Sequence, residues 1–287
     1  MRLSQSFDPI VSINSGQVFL WEQHENSWYG IHGEHVIKVS KTSDGRYEFS
    51  SFPELTSWEG KLFRLDDDID RILEEISRDS FVAKVVRMYR GLRLIRQEPH
   101  QCMFSFIAAS NTNIPMIRRM LYLLTRKFGN KVHAEGKDFF TFPSAVSIQK
   151  ATINELRSCS LGYRAKAIKE AADQIASGRL DLELLKKEKY EQAKQELLQL
   201  YGIGNKIADC ILLFSLEKLD AFPIDVWIAR ALANHYTWLY KKEFSGSMTG
   251  SQYQLLSRNA REYFGKYAGY AQQYIYYHMR QDAGKKW

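Results

Sequence analysis

Between about residue 10 and residue 65, apolar and polar side chains alternate. Val18, Leu20, Trp28-Tyr29-Gly30-Ile31 and His35-Val36-Ile37-Lys38-Val39 carry this period of two, with breaks at Gly33-Glu34 and Asp44-Gly45. Such alternation buries one face of a strand, and glycine-bearing breaks are turns, so the pattern predicts an antiparallel sheet. From about residue 66 the apolar spacing becomes that of a helix. It predicts helices over 69–77, 80–90, 99–110, 114–128, 147–157, 164–176, 190–200, 206–218, 226–236, 250–264 and 269–281. The expected fold class is α+β: an N-terminal antiparallel sheet domain with flanking helices over 1–90, then a helical region over 91–287. The acidic run Asp66-Asp67-Asp68 opens the helical part and reads as dipole-complementing capping. The charged stretch Leu185-Lys186-Lys187-Glu188-Lys189 reads as a solvated loop or helix edge. There is no internal repeat and no low-complexity segment.

The densest chemistry lies in 197–225, LLQLYGIGNKIADCILLFSLEKLDAFPID. Gly202-Ile203-Gly204 separates two apolar helical stretches, so 197–218 reads as a helix-hairpin-helix. Two glycines one residue apart allow a tight turn and close backbone approach, and the helix that follows presents free N–H groups to an anion. A glycine-capped corner between ordinary helices fits the same residues. Lys206 sits in the first turn of the second helix, where the dipole disfavours a cation. That placement suits a nucleophile and does little for stability; the bland alternative is a solvated surface lysine. Cys210, four residues on, shares its face and is either a pocket wall or a buried core thiol. Asp225 follows Pro223-Ile224 and precedes Val226-Trp227-Ile228, the position of an N-cap. A capping aspartate is also rigid and well aimed, so the two roles are compatible.

Composition adds bounds. With 40 Lys+Arg against 33 Asp+Glu the net charge is +7 and the pI about 9.1, which is compatible with nucleic acid without demanding it. Cys102, Cys159 and Cys210 are scattered and odd in number, which argues for a reducing compartment and against both a disulfide framework and a four-cysteine iron–sulfur cluster. The seven histidines show no metal-ligand spacing. The N-terminus, MRLSQSFDP, lacks an apolar leader core, and no apolar stretch reaches membrane-spanning length, so the expectation is a soluble intracellular protein.

The glycine hairpin with Lys206 and Asp225 at this spacing resembles the helix-hairpin-helix DNA glycosylases with a Gly/Pro…Asp loop. Four further segments narrow the resemblance to the 8-oxoguanine DNA glycosylase/lyases. They are SGQVFLW at 15–21, GLRLIRQEPHQCMFSFIAASNTNI at 91–114, LGYRAKAI at 161–168 and GYAQQYIY at 269–276. They occur in the family's order across nearly the whole chain. The resemblance implies an N-terminal sheet packed against two helical lobes with the site in the cleft between them. It implies Lys206 and Asp225 as the catalytic pair. The base pocket would comprise Gly16, whose carbonyl meets N7–H of 8-oxoguanine, together with Cys210, Gln272 and Tyr276. Contacts to DNA would come from Asn111, Asn113, Tyr163, Arg164, Gly202, Gly204 and Trp227. Backbone carbonyls of Leu198, Leu200 and Ile203 would hold a monovalent cation under the hairpin. No other cofactor and no iron–sulfur cluster is implied. The implied partner is double-stranded DNA containing oxidised guanine, met by a monomer in the cytoplasm, associated with the nucleoid of a prokaryote, with no membrane involved.

The chain departs from the family pattern in places. Thr112 replaces the middle asparagine of the loop, and Met116 stands where eukaryotic members have an arginine that contacts the opposite cytosine. Trp227 stands for a histidine, Tyr201 for the proline before the hairpin, and Tyr276 for a phenylalanine. These put opposite-base selectivity in doubt more than catalysis. Two other readings fit parts of the chain: a glycosylase for another damaged base, and a non-catalytic helix-hairpin-helix DNA-binding protein. An alkylbase enzyme would not need Lys206. A binding module would not need Lys206 with Asp225, or Gln272 with Tyr276.

Overall fold

The computed structural model describes residues 7–239 and 248–284. Helix α1 (Pro9–Ile13), capped by the Asp8 carboxylate, precedes strands β1 (Trp21–His24), β2 (Ser27–His32), β3 (His35–Lys41) and β4 (Tyr47–Phe52). The strands form one antiparallel sheet in chain order, with Trp21 opposite Gly30, Trp28 opposite Val39 and Val39 opposite Phe49. The predicted turns at Gly33 and Gly45 join β2 to β3 and β3 to β4. Trp21, Ile37 and Val39 bury one sheet face against Phe7, Ile13, Leu62, Phe63 and Ile95. The sheet begins later than the alternation suggested. Residues 10–13 are helical and Val18 and Leu20 lie before β1, because Asp8 caps a turn of helix that local alternation does not reveal.

After the sheet come α2 (Trp58–Leu62), α3 (Ile69–Ile76), α4 (Ser80–Met88), α5 (Pro99–Ala108) and α6 (Ile114–Phe128). A second hairpin, β5 (Lys131–Ala134) and β6 (Lys137–Phe140), then interrupts the helical run. Its Phe139 stacks on Tyr29 with ring centroids 5.1 Å apart, so it extends the cover of the sheet. Next are α7 (Ala145–Lys150), α8 (Ile153–Leu156), α9 (Arg164–Ala176), α10 (Leu182–Lys187), α11 (Tyr190–Leu198), α12 (Asn205–Ser215), α13 (Val226–His235), α14 (Gly250–Phe264) and α15 (Ala268–Asp282). The helix predicted over 147–157 is therefore two, because a Thr152–Glu155 capping box starts α8 afresh. The charged stretch at 185–189 is partly the end of α10, whose N-cap is Asp181.

Of the three consecutive aspartates only Asp68 caps a helix, accepting the Arg71 N–H. Asp66 meets Arg96 at 2.6 Å and Asp67 accepts from the Tyr270 hydroxyl at 2.6 Å, so the run ties the sheet region to α15 instead. The large core gathers around α12, whose residues from Ile207 to Ser215 are all buried. Side chains of the Leu, Ile and Phe type contribute roughly 1.5–3 kcal/mol each on full burial, which makes α12 a rigid platform for whatever its first turn carries. α5 lies against it on one side and α11 and α14 on the others. Among the described residues no helix is long and apolar enough to cross a membrane.

Candidate active site

The glycine hairpin joins α11 to α12. Gly202 has φ +82°, and a Cβ there would stand 2.6 Å from Ala167 Cβ on α9, so a side chain is excluded twice over. At Gly204, the N-cap of α12, a Cβ would meet nothing within 4 Å. That face of the hairpin is open, and no side chain caps the N–H groups behind it. Lys206, in the first turn, extends from this platform into a cleft of about 690 Å³. Its Nζ lies 5.4 Å from the centre of the Phe106 ring. Cys210 forms the wall one turn on; burial pushes its thiol up to about 12, against the opposing pull of the Lys206 charge. It is therefore a neutral, apolar surface beside the amine.

Asp225 reaches the same cleft from the start of α13. Its Oδ1 accepts the N–H groups of Trp227 and Ile228, both at 2.9 Å. The carboxylate is thus both a helix cap and a cleft group. Burial holds it above the ordinary carboxylate range, opposed by the Ile228 N–H, the Lys206 charge, the Trp227 N–H and the Arg280 charge.

The opposite walls come from the N-terminal segment and from α15. Gly16 lines the cleft with φ +88°. Its neighbours pin it there. Gln17 Nε2 donates to Arg93 O at 2.8 Å, and Gln17 Oε1 accepts from Ile95 N at 2.6 Å. Gln273 Nε2 donates to Ser15 O at 2.8 Å. The peptide at Gly16 is therefore fixed between the extended segment at 93–95 and α15. Gln272 and Tyr276 stand one turn apart on the cleft-facing side of α15. Gln272 is only 4% exposed, and its Oε1 has no hydrogen-bond partner. Burial raises the Tyr276 hydroxyl well above its ordinary value.

The cleft thus brings together Gly16, Lys206, Cys210, Asp225, Gln272 and Tyr276, with Asn113 and Trp227 at its border. Asn111, Tyr163 and Arg164 do not line it. They form a neighbouring rim in which Arg164 Nε and Nη2 donate to Ser110 O at 3.0 and 2.5 Å and Nη2 donates to Asn111 O at 3.2 Å. Tyr163 is 61% exposed, with the Arg164 guanidinium 4.5 Å from its ring centre. Asn111 has φ +48°, while the Asn113 side chain caps α6 by accepting the Met116 N–H at 3.0 Å. Met116 is 39% exposed beside them. Below the hairpin, Leu200 O accepts the Ile203 N–H at 3.2 Å, and Leu198 closes α11.

Two charged cleft residues, Arg280 and Arg118, were not singled out from the sequence. Arg280 lines the cleft and lies 5.9 Å from the Tyr276 ring centre. Its spacing of four from Tyr276 and eight from Gln272 put it on their face, a signal that was present in the sequence. Arg118 also lines the cleft, with Nε donating to Phe19 O at 3.2 Å and its guanidinium bonded to Trp21 O as well. No local pattern distinguishes it from Arg119. Among the described residues no group of three or more His, Cys, Asp or Glu side chains could hold a metal ion.

Comparison with known proteins gives this site a family. Residues 2–103 match the model of the 8-oxoguanine DNA glycosylase N-terminal domain. A probable N-glycosylase/DNA lyase of Methanothermobacter thermautotrophicus is 33% identical over 211 residues, 67% of this chain and 64% of that protein. The N-glycosylase/DNA lyase of Saccharomyces cerevisiae is 31% identical over 188 residues, 61% of this chain and 50% of that one. The chain thus spans between half and two thirds of the length of these curated relatives. The fold matches the crystal structure of a Clostridium acetobutylicum 8-oxoguanine glycosylase/lyase, solved with double-stranded DNA containing cytosine opposite 8-oxoguanine. The TM-score is 0.87 at 31% identity, covering 97% of this chain and 93% of that one. The chain belongs to the 8-oxoguanine DNA glycosylase/lyase family.

Proposed function

We propose that this protein excises 8-oxoguanine from duplex DNA through a covalent intermediate on Lys206 and then cleaves the strand at the abasic site. The observation that carries the reading is one cleft holding an amine, a carboxylate and the buried, unpartnered amide oxygen of Gln272. An unmet acceptor of that kind costs about 1–3 kcal/mol, a cost that a ligand donor would remove. A purine turned out of the stack offers such donors on its Watson–Crick edge.

In the proposed reaction the free amine of Lys206 attacks C1′ of the flipped nucleotide. The C1′–N9 bond breaks, the base departs with its electron pair, and the proton shed by the attacking nitrogen balances the charge on the departing base. Asp225 stabilises the positive charge that develops on the sugar. The aminated sugar opens to a Schiff base, loses a 2′ proton, and expels the 3′ phosphate by β-elimination. A fixed carboxylate near the cationic centre in a water-poor cleft contributes on the order of a thousandfold in rate. Cys210 and Tyr276 face the two sides of the base. The Gly16 carbonyl accepts N7–H of 8-oxoguanine; guanine carries a lone pair there, so the same oxygen would repel it. Asn111 and Asn113 meet the orphaned cytosine, Asn113 through its amide N–H because its oxygen caps α6. Tyr163 and Arg164 enter the gap left in the stack. Gly202, Gly204 and Trp227 take phosphates, the glycines through backbone N–H groups.

No cofactor takes part in these steps. The carbonyls of Leu198, Leu200 and Ile203 are the proposed seat of a monovalent cation that would bridge hairpin and phosphate. An all-oxygen set suits a hard cation, and Leu200 O keeps a second lone pair beside its bond to Ile203 N. The three cysteines are free and buried, too few for a four-cysteine cluster. The proposed partner is duplex DNA, bound by a monomer at the nucleoid of a prokaryotic cytoplasm.

The test is a duplex with one 8-oxoguanine, incubated with and without borohydride. Base release with a trapped protein–DNA adduct supports the reading. Release without an adduct points to a glycosylase of another kind, and binding without release points to a non-catalytic module.

A further inference from the structure

Three residues past Lys206, on the same helix, Asp209 is fully buried. A carboxylate in that setting persists only if it is paired and hydrogen-bonded on all sides. It is. Lys194 Nζ from α11 lies 2.9 Å from Oδ1 and 3.1 Å from Oδ2. The Tyr190 hydroxyl donates to Oδ1 at 2.6 Å, and the Tyr253 hydroxyl from α14 donates to Oδ2 at 2.8 Å. The Tyr253 oxygen also accepts the Ile224 N–H at 3.1 Å. Ile224 is the residue before Asp225, in a segment between α12 and α13 that belongs to no helix or strand. Ser257, one turn along α14, adds a parallel link by donating to Phe222 O at 3.2 Å.

A continuous path therefore runs from the backbone of α12, through Asp209 and Tyr253, to the peptide that delivers Asp225. Its two ends carry the amine and the carboxylate of the cleft. Stability alone does not call for such a device, since apolar residues of similar volume serve a core as well or better. We propose that Asp209 and Tyr253 are positioning residues that hold the Asp225 carboxylate in register with Lys206. The inference rests on the reaction proposed above. A displacement of about 1 Å at such a pair costs on the order of a hundredfold in rate.

The experiment compares Tyr253→Phe with Tyr190→Phe, with single-turnover excision at saturating enzyme, affinity for an abasic-analogue duplex and melting temperature as readouts. Both variants remove one hydroxyl from the same carboxylate, but only the first frees the Ile224 peptide. Tyr253→Phe is expected to lose roughly tenfold or more in excision rate with affinity within about threefold of the wild type. Tyr190→Phe is expected to lose similar thermal stability and distinctly less rate. Ser257→Ala, a milder cut of the parallel link, should lose rate in the same direction, and it carries the comparison if Tyr253→Phe does not fold. Equal rate losses in the Tyr190 and Tyr253 variants, or an unchanged rate in Tyr253→Phe, overturn the proposal. A wild-type protein that neither excises nor traps overturns the underlying reaction instead, so the two failures are distinct.

Discussion

Behind Lys206 and Asp225 a buried network of Asp209, Tyr253 and the Ile224 N–H joins α12 to the segment that carries Asp225, whereas the rim of Asn111, Tyr163 and Arg164 is tied by bonds from Arg164 to the carbonyls of Ser110 and Asn111. The first region hangs on α12, buried from Ile207 to Ser215. The second projects an exposed tyrosine, an exposed methionine and an asparagine in the left-handed region. The contrast follows the chemistry each would perform. Bond-making needs two groups kept in register, which burial and redundancy provide. Reading an opposite base needs side chains that reach outward, and these can change without disturbing the core. Substitutions in the first region should therefore damage chemistry and spare binding, and those in the second should do the reverse.

The sharpest break in that comparison is Lys206→Gln. Excision and borohydride trapping should both vanish, while affinity for a damaged duplex stays within a few fold. Persistent trapping would assign the nucleophile to another amine. Next is Asp225→Asn, expected to slow single-turnover excision about a thousandfold with little change in binding. Its stability should move the other way. Burial raises the Asp225 carboxyl, so the folded protein holds that proton more tightly than the unfolded chain does. The stability this contributes is present at low pH and lost as pH rises through the raised value. Asparagine keeps the cap of α13 without the charge, so at neutral pH the variant should melt no lower than the wild type. A clear fall in melting temperature would show that Lys206 and Arg280 repay the burial of the charge. The wild-type rate should climb with pH through the same raised value, and that limb should be missing in the variant.

On the rim the expected effects are smaller. Met116 cannot donate to cytosine as an arginine would, so excision opposite the four bases should differ by less than about a hundredfold. Met116→Arg should add discrimination in favour of cytosine, on the order of 1–3 kcal/mol, without raising the intrinsic rate. A wild-type preference for cytosine above a hundredfold would mean that another residue already does this. Smallest is Arg164→Ala, which removes the contacts to Ser110 and Asn111 carbonyls. It should weaken duplex binding by roughly tenfold, about 1.4 kcal/mol, and leave the excision rate at saturation near that of the wild type. A large loss of rate instead would join rim and cleft into one unit.

Much of this was legible in the chain. Glycines with a lysine two residues on, a Pro-Ile-Asp step, and a glutamine and a tyrosine four apart are local signals, and the fold brings Lys206, Asp225, Gln272 and Tyr276 to one cleft. The antiparallel sheet and most helices also follow from period alone. The second hairpin at 131–140 falls between the helices predicted over 114–128 and 147–157 and was not read as strands, although Glu135-Gly136, both at positive φ, is a turn between two short alternating runs. α1 and α10 were missed because their aspartate caps, Asp8 and Asp181, precede very short helices with weak periodicity.

Taken alone, the sequence determined which residues are candidates for chemistry and which elements many of them start or end, because capping, periodicity and turn formation act over a few residues. Only the tertiary structure decided what surrounds them. Arg118 enters the cleft because carbonyls of Phe19 and Trp21, about a hundred residues away, receive it. Asp209 can remain buried only because α11 brings Lys194 and α14 brings Tyr253 to it, and Gly16 and Gln272 line one cleft with Gln273 bonded to Ser15 beside them. Contacts of that range depend on how elements pack, and a buried charge or amide declares its partner only once the core has closed around both.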